Sequence, residues 1–306
     1  MLKLLKKITG QKLLLPFYHE VSDKQLPHLS GLYHVRTPQQ FETEVDFHLK
    51  HYTPITLDSL VDHIYNSIPI NKPTFLLSFD DGLHGVHEFV MPILQRKGLE
   101  AMLFVNPAFI NNKDMMFRLK AALIAHELKK QKNKGMKYVA KYLFHLKHEH
   151  TEHLNELAKE LEFDFSDYLK THQPYLNLNE LKELKTNGFH IGGHTDTHPE
   201  LRYLPLDDQI SETLKSMDWV KQNLNPKHHL FSFPFTDYGI GTEFYKGTEK
   251  HIDLYFGGAG LKIESNPKHL QRIPVENFSN AKWMIYYQYI YWLLKMPFGK
   301  NNIKRK

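Results

Sequence analysis

The sequence predicts an α/β fold built on a parallel sheet or barrel, and two observations carry this prediction. Short, continuously apolar runs recur along the chain, and most of them are followed by a stretch in which apolar residues recur with helical spacing. Strands that are apolar on both faces are typical of parallel sheets covered by helices. The length of 306 residues suits one large domain or two small ones, with a substantial core.

Six apolar runs are predicted to be buried strands. They are residues 12–19, 73–79, 100–105, 188–193, 229–235 and 253–256. The run at 73–79 begins at Pro73 and stops at the polar turn Asp80-Asp81-Gly82. Because parallel strands end at the same edge of a sheet, the polar residues that follow these runs are expected to lie close together.

Helical patterns lie between these runs, over residues 38–50, 86–97 and 207–224. The first of them has Thr37 as a candidate N-cap and Pro38 at its first turn. From about residue 114 to 170 the chain is helical throughout and rich in Lys, Glu and His, with no convincing strand. We expect this stretch to be a helical insertion and not a separate domain.

The composition excludes several classes of protein. The chain contains no cysteine, so a bound transition metal would need His, Asp or Glu ligands. The net charge of +5 is mild, and no basic stripe interleaved with aromatic residues is found, so no nucleic-acid partner is expected. No stretch reaches the ~18 apolar residues of a membrane span. The first fifteen residues lack the apolar core of a secretory signal, which makes a cytoplasmic location the expectation.

The two ends of the chain leave two interpretations open. Residues 281–296 are predicted to form an aromatic-rich amphipathic helix, and a basic tail follows it. The first fifteen residues interleave Lys with Leu and Ile. Both segments permit peripheral contact with the inner face of an anionic membrane, and a final helix packed on the domain with a solvated tail is the alternative. The sequence does not indicate the oligomeric state.

Candidate site residues follow the predicted strands. The chain contains 21 histidines, so roughly one or two pairs at positions i and i+4 are expected by chance alone. Position makes one pair meaningful: His194 and His198 follow a strand, whereas His190 lies within it and is interpreted as a packed or hydrogen-bonded core histidine. Two imidazoles at this spacing can face one ion. A carboxylate from Asp80 or Asp81 would complete a His₂Asp set with an open position for water or substrate.

Three motifs carry a resemblance to a known family. LLSFDDG (76–82), HTDTH (194–198) and SFPFTDYG (232–239) resemble, in order, the first three motifs of the polysaccharide deacetylases, carbohydrate esterase family four. FYHEV (17–21) and HYTPITLDSL (51–60) are similar to the amino-terminal part of that group. The resemblance implies a distorted (β/α)₇ barrel, with residues 1–306 forming one catalytic domain that carries the helical insertion.

The resemblance also implies a reaction and roles for particular residues. The reaction is the hydrolytic removal of acetyl from an N-acetylated, sometimes O-acetylated, sugar of a polysaccharide or glycan precursor. Asp81, His194 and His198 would hold a divalent metal, typically zinc. Asp80 would be the general base, and the backbone N–H of Phe235 would help to hold the tetrahedral oxyanion.

Two departures from the family pattern leave two catalytic groups unassigned: the arginine that pairs with the base, and the general acid. The arginine that pairs with the base in the third motif is replaced near that place by Ser232, and Arg272 is the nearest candidate to substitute for it. The late motif that carries the general-acid histidine is not evident, and His19 at the end of the first strand is the candidate for that role.

Two other functions stay open on the sequence alone. One is a hydrolase of the same scaffold that cleaves a non-sugar amide C–N bond. The other is a non-catalytic, glycan-binding protein with a relic site. The sequence does not indicate which sugar or position is used, or whether the substrate is a polymer, a lipid-linked unit or a nucleotide sugar.

Overall fold

The structure, a computed structural model, describes residues 1–130 and 134–305 as alternating strands and helices. The strands are β1 (Leu13–Leu14), β2 (Pro16–Tyr18), β3 (Thr53–Pro54), β4 (Thr74–Phe75), β5 (Leu77–Phe79), β6 (Ala101–Val105), β7 (Phe189–Gly193), β8 (Leu230–Ser232), β9 (Leu254–Gly257), β10 (Ile263–Glu264), β11 (His269–Gln271), β12 (Ile273–Pro274) and β13 (Asn302–Ile303). The helices are α1 (Leu2–Thr9), α2 (Pro38–His51), α3 (Leu57–Tyr65), α4 (Met91–Arg96), α5 (Phe117–Lys130), α6 (Lys134–Leu143), α7 (Thr151–Glu160), α8 (Phe165–His172), α9 (Leu178–Thr186), α10 (Leu206–Leu224), α11 (Thr242–Thr248) and α12 (Ala281–Lys295).

Eight parallel strands form the main sheet, in the order β11-β9-β8-β7-β6-β5-β2-β12. Its two edge strands, β11 and β12, are separated in sequence only by Arg272. At this residue the chain passes from one edge of the sheet to the other: Arg272 N–H donates to Gly257 O at 3.0 Å, and Ile273 N–H donates to Leu15 O at 2.9 Å. The sheet is therefore a nearly closed barrel in which β11 and β12 together fill one of seven strand positions, each of which we call a stave. This agrees with the predicted distorted (β/α)₇ barrel.

Apolar strand residues explain why the barrel is covered on both faces. All five residues of β6 are buried, and each of the six predicted apolar runs contains at least one strand. Gly192 in β7 is required by close approach, because a Cβ there would lie 2.5 Å from Leu230 O. Buried side chains inside and outside the barrel leave the carboxyl ends of the strands as the place for polar residues.

The outer helices begin and end where local chemistry favours it. Thr37 caps α2 in a capping box with Gln40, and Pro38 occupies its first turn. The predicted helix over 86–97 begins as a π-helical turn, Val86–Val90, and continues as α4. Between β6 and β7 the chain forms α5 to α9, and this segment includes the stretch expected to be an insertion. No helix in the described part of the chain is long and apolar enough to cross a membrane.

Candidate active site

Three buried ligand atoms meet at the carboxyl end of the barrel. Asp81 follows β5, whereas His194 and His198 follow β7. Asp81 Oδ1 lies 3.5 Å from His194 Nε2 and 3.2 Å from His198 Nε2. Asp81 has a φ of 72°, in the left-handed region. The backbone is therefore strained at the residue that carries this carboxylate.

The donor chemistry of this group fits a divalent cation. Asp81 Oδ1 is buried and has no hydrogen-bond partner, which is costly unless another ligand satisfies it. His194 Nδ1 donates to Ser232 O at 2.8 Å, so its Nε2 carries a lone pair toward Asp81. Burial lowers the pKa of His198, which favours the neutral imidazole that binds metals. These residues can therefore hold a divalent metal ion.

Thr195 lies between the two histidines and shapes the loop that carries them. Its hydroxyl donates to His194 O at 2.5 Å and accepts from His198 N–H at 3.1 Å. Its φ of 64° turns the chain so that both imidazoles face Asp81. His190, by contrast, is half-buried and contacts Glu100 at 3.0 Å, away from the site.

A second His/Asp/Glu group of similar size lies elsewhere among the described residues, and it is already satisfied by protein donors. Asp237, Glu264 and His269 have ligand atoms close enough to share an ion. However, Arg305 forms ion pairs with both carboxylates, and Gln271 Nε2 donates to Asp237 Oδ2 at 2.6 Å. The cationic guanidinium occupies the place that a metal ion would take. The group at Asp81 is thus the better candidate.

Asp80 lies beside the candidate metal ligands and is held by an arginine. Arg272 donates two parallel hydrogen bonds to its carboxylate, each 2.7 Å long, and a third to Ser78 Oγ at 3.0 Å. The guanidinium also lies 4.4 Å and 4.9 Å from the ring centroids of Phe17 and Phe104. Although burial alone would raise the pKa of Asp80, the charge of Arg272 lowers it below its ordinary value. Asp80 is therefore a carboxylate that can accept a proton.

His19 is paired with a buried carboxylate at the same end of the barrel. Its Nδ1 contacts Glu276, which is only 3% exposed, and its ring stacks on Tyr33 with 3.9 Å between centroids. Burial alone would lower the pKa of His19, but Glu276 and the more distant Asp81 raise it to about 9. Tyr33 donates to Asp81 Oδ2 at 3.2 Å, so this stack links His19 to the metal-ligand group.

One cavity of about 440 Å³ is lined by the two candidate histidine ligands, by the Asp80–Arg272 pair and by the His19–Glu276 pair. Besides these residues of the barrel ends, it is lined by residues of the loop at 31–33 and of the segment between β6 and β7, among them Tyr33, Arg118 and Phe144. Phe235 also lines it, and its ring lies 4.7 Å from that of His198. The cavity thus brings together every residue for which the sequence suggested a catalytic role, with access for a substrate.

The sequence alone does not indicate two of the contributors. Glu276 comes two residues after β12, and an acidic residue shortly after a predicted strand is the signal that could have found it. Tyr33 lies in a loop without a motif, so no local signal points to it. Ser232, which stands near the place of the family's arginine, accepts a hydrogen bond from Arg272 through its hydroxyl and one from His194 through its main-chain O.

The barrel and this cavity define a class of protein: an α/β barrel with a His₂Asp group able to bind a divalent ion beside the buried, arginine-paired carboxylate of Asp80. The family profile described as "Polysaccharide deacetylase" matches residues 68–243, more than half of the chain. The chain therefore belongs to the polysaccharide deacetylase family, the carbohydrate esterase family four hydrolases.

Solved structures share the fold over most of the chain. The Streptococcus pyogenes deacetylase PplD, in complex with acetate, has a TM-score of 0.60 and 15% identity, covering 90% of this chain and 98% of that one. IcaB from Ammonifex degensii has a TM-score of 0.59 and 15% identity, covering 91% and 98%. A de-N-acetylase from Aggregatibacter actinomycetemcomitans has a TM-score of 0.58 and 12% identity, covering 89% and 99%. Comparison with curated protein sequences gave no match.

Proposed function

We propose that the protein is a metal-dependent deacetylase that removes acetyl from an N-acetylated sugar of a polysaccharide or glycan precursor. The observation that carries this proposal is the bidentate Arg272–Asp80 pair beside the Asp81, His194 and His198 group, in one cavity. A carboxylate base and a candidate metal-ligand set within one cavity suit hydrolysis of an amide. Membership of the deacetylase family supports the acetyl group and the sugar.

Zinc is the ion that we propose for Asp81, His194 and His198. Two imidazoles and one carboxylate suit zinc, and three protein ligands leave an open position. When bound, the ion would polarise the acetyl carbonyl and lower the pKa of water.

The residues of this chain would move the protons and hold the developing charge. Asp80 would accept the proton of the attacking water while Arg272 fixes the orientation of its carboxylate. The backbone N–H of Phe235 would donate to the tetrahedral oxyanion. His19, kept protonated by Glu276, would give a proton to the leaving amine.

Two alternatives use the same residues. A non-sugar amide hydrolase would differ mainly in the walls of the cavity, which include Arg118 and Phe144 between β6 and β7. Their presence in the cavity supports one catalytic domain over residues 1–306, with the helical segment at about 114–170 as part of it. A relic site is disfavoured because a buried ion pair and an orphaned buried carboxylate oxygen are costly to keep without a function.

We also propose that α1 and α12 contact an anionic membrane surface. The inner side of α12 packs into the core, whereas Trp283, Tyr287, Ile290 and Leu294 form a stripe that is 46–65% exposed. Leu4 and Ile8 of the neighbouring α1 are 59% and 56% exposed. Residues 1–19 and 277–306 contain no Asp or Glu and nine Lys in addition to Arg305, which is itself paired with Asp237 and Glu264. Exposed aromatic residues among basic ones suit an anionic bilayer, whereas a two-fold contact between copies would bring like charges together.

Acetate release with matched metal analysis tests the proposed activity. Zinc-loaded protein should release acetate from at least one N-acetylated glycan, lipid-linked sugar or nucleotide sugar, and a chelator should abolish the release. Asp80→Asn should retain zinc but lose at least about 100-fold in kcat, because the proton acceptor is gone. Small linear and cyclic amides are the comparison substrates. Release from these alone would favour the amide alternative, and zinc-loaded protein inactive on all of them would contradict hydrolysis.

A further inference from the structure

Phe235 occupies a strained turn at the edge of the cavity. Its φ is 56°, and Thr236 N–H donates across it to Pro234 O at 2.6 Å, which makes Phe235 the central residue of a γ-turn. A γ-turn with positive φ is rare and strained for a residue with a bulky side chain. Such a turn persists only where the surrounding structure holds it. The Phe235 ring lies 4.7 Å from that of His198 and 5.2 Å from the Arg118 guanidinium, but Phe235 is 41% exposed, so packing of its side chain provides only part of what holds the turn.

Asp237, two residues after Phe235, is held through both its side chain and its backbone. This residue is 3% exposed, and its Oδ2 accepts from Gln271 Nε2 at 2.6 Å. Arg305 forms an ion pair with the carboxylate of Asp237 and donates from Nη1 to its main-chain O at 2.9 Å. Burial alone would raise the pKa of Asp237, but His269, Gln271 and Arg305 lower it, so Asp237 is charged. Side chain and backbone of one residue are thus both held by one guanidinium.

Arg305 is itself held in place by a strand pairing. β13 runs parallel to β10, with Ile263 N–H donating to Asn301 O at 2.8 Å. Arg305 Nε donates to Glu264 Oε2 at 3.2 Å, and the Arg305 and Glu264 side chains are only 7% and 2% exposed. Without Arg305, two carboxylates would be buried close together with no cation between them, which is costly. The segment over residues 301–305, which we call the strap, therefore connects β10 to Asp237, two residues after the turn.

We propose that Arg305 is a positioning residue that holds the strained turn at Phe235, and with it the backbone N–H to which we assign the oxyanion. This inference rests on the proposed deacetylation for its effect on rate. The strap itself concerns only the structure of the turn. Arg305 would act through Asp237 and would not touch the substrate.

Two measurements test this proposal, with Lys304→Gln as the matched control because Lys304 is the exposed neighbour of Arg305. In Arg305→Gln, hydrogen exchange of the amides at 235–241 should rise at least about 10-fold while the rest of the barrel is unchanged. The kcat for acetate release should fall about 10- to 100-fold with KM and zinc content nearly constant, because a shifted donor weakens the transition state alone. Arg305→Lys keeps the positive charge but loses the bidentate geometry of the guanidinium. Its hydrogen exchange and its kcat should therefore lie between those of wild type and of Arg305→Gln.

Hydrogen exchange tests whether Arg305 holds the turn, and kcat tests whether this matters for deacetylation, so the two claims can fail separately. Exchange in Arg305→Gln and Arg305→Lys equal to that in Lys304→Gln would overturn the strap, even in a protein without measurable deacetylation. Raised exchange with wild-type kcat would overturn the role in catalysis while leaving the proposed activity intact. Wild-type protein that releases no acetate would contradict the proposed function, and the exchange data would still decide whether Arg305 holds the turn.

Discussion

Charged residues that line the cavity are arranged in two pairs of opposite charge. Arg272 fixes Asp80, and Glu276 fixes His19, so each candidate proton-transfer group has one buried partner of opposite charge. The effect on the two groups is opposite in direction: the pKa of Asp80 is lowered and that of His19 is raised to about 9. In the proposed mechanism, Asp80 would then act as the base and His19 as the acid at the same neutral pH.

The His19–Glu276 pair predicts the alkaline side of the pH–rate profile. If His19 supplies the proton, kcat should fall as pH rises through about 9, where the imidazolium is lost. Glu276→Gln removes the charge that raises this pKa, so the fall should move to lower pH by about one unit or more. Glu88→Gln, an exposed carboxylate paired with Lys24, is the control. An alkaline limb at the same pH in wild type and Glu276→Gln would argue against His19 as the acid.

At the scale of elements, the stave formed by β11 and β12 both closes the barrel and supplies the site. Arg272 lies at the junction of the two strands, and Glu276 follows β12. Glu276 lies in the turn directly after β12, at the carboxyl end of the strand. It therefore lines the same cavity as Arg272 and contacts His19, which follows β2.

The exposed stripe of α12 predicts binding to anionic vesicles. The protein should sediment with vesicles containing phosphatidylglycerol, less with neutral ones, and less at high salt because charges are screened. The double change Trp283→Ser and Leu294→Ser should weaken binding at least about 10-fold. Tyr142→Ser, which removes an aromatic residue that is 61% exposed on the helical segment, should have no effect. Equal binding by both variants would contradict the membrane face, as would self-association without vesicles that the α12 changes abolish.

At the scale of the whole molecule, the candidate metal ligands join two staves. Asp81 comes from the end of β5, and the histidines come from the end of β7, with β6 between them. An ion held by all three would link parts of the barrel that are distant in sequence. Such an ion binds the folded chain and not the unfolded one, so it stabilises the fold by mass action.

Metal removal should therefore lower the unfolding temperature. The stabilisation is about 2.7 kcal/mol at a free ion concentration of about 100 times the dissociation constant. We expect a chelator to lower the unfolding temperature of wild-type protein by several degrees and to have little effect on His198→Ala. In His190→Ala the chelator effect should persist, because His190 contacts Glu100 outside the site. An equal chelator effect in all three proteins would contradict the ligand set.

The sequence by itself determined the strand–helix order, the positions of Asp80, Asp81, His194 and His198 after their strands, and the family. Apolar runs and local caps are sequence-local, and motif residues follow strands at fixed spacing, so these features could be predicted. Arg272 and His19 could only be candidates, since nothing local in the sequence says which distant carboxylate each will meet.

The tertiary structure alone decided the pairings. Glu276 with His19 and Arg272 with Asp80 are separated by 257 and 192 positions in the sequence. Closure of the barrel brings its first and last staves together, and a contact made by closure has no signature in either segment. The attachment of Arg305 to the turn at Phe235 has the same physical origin, because it depends on where β13 pairs.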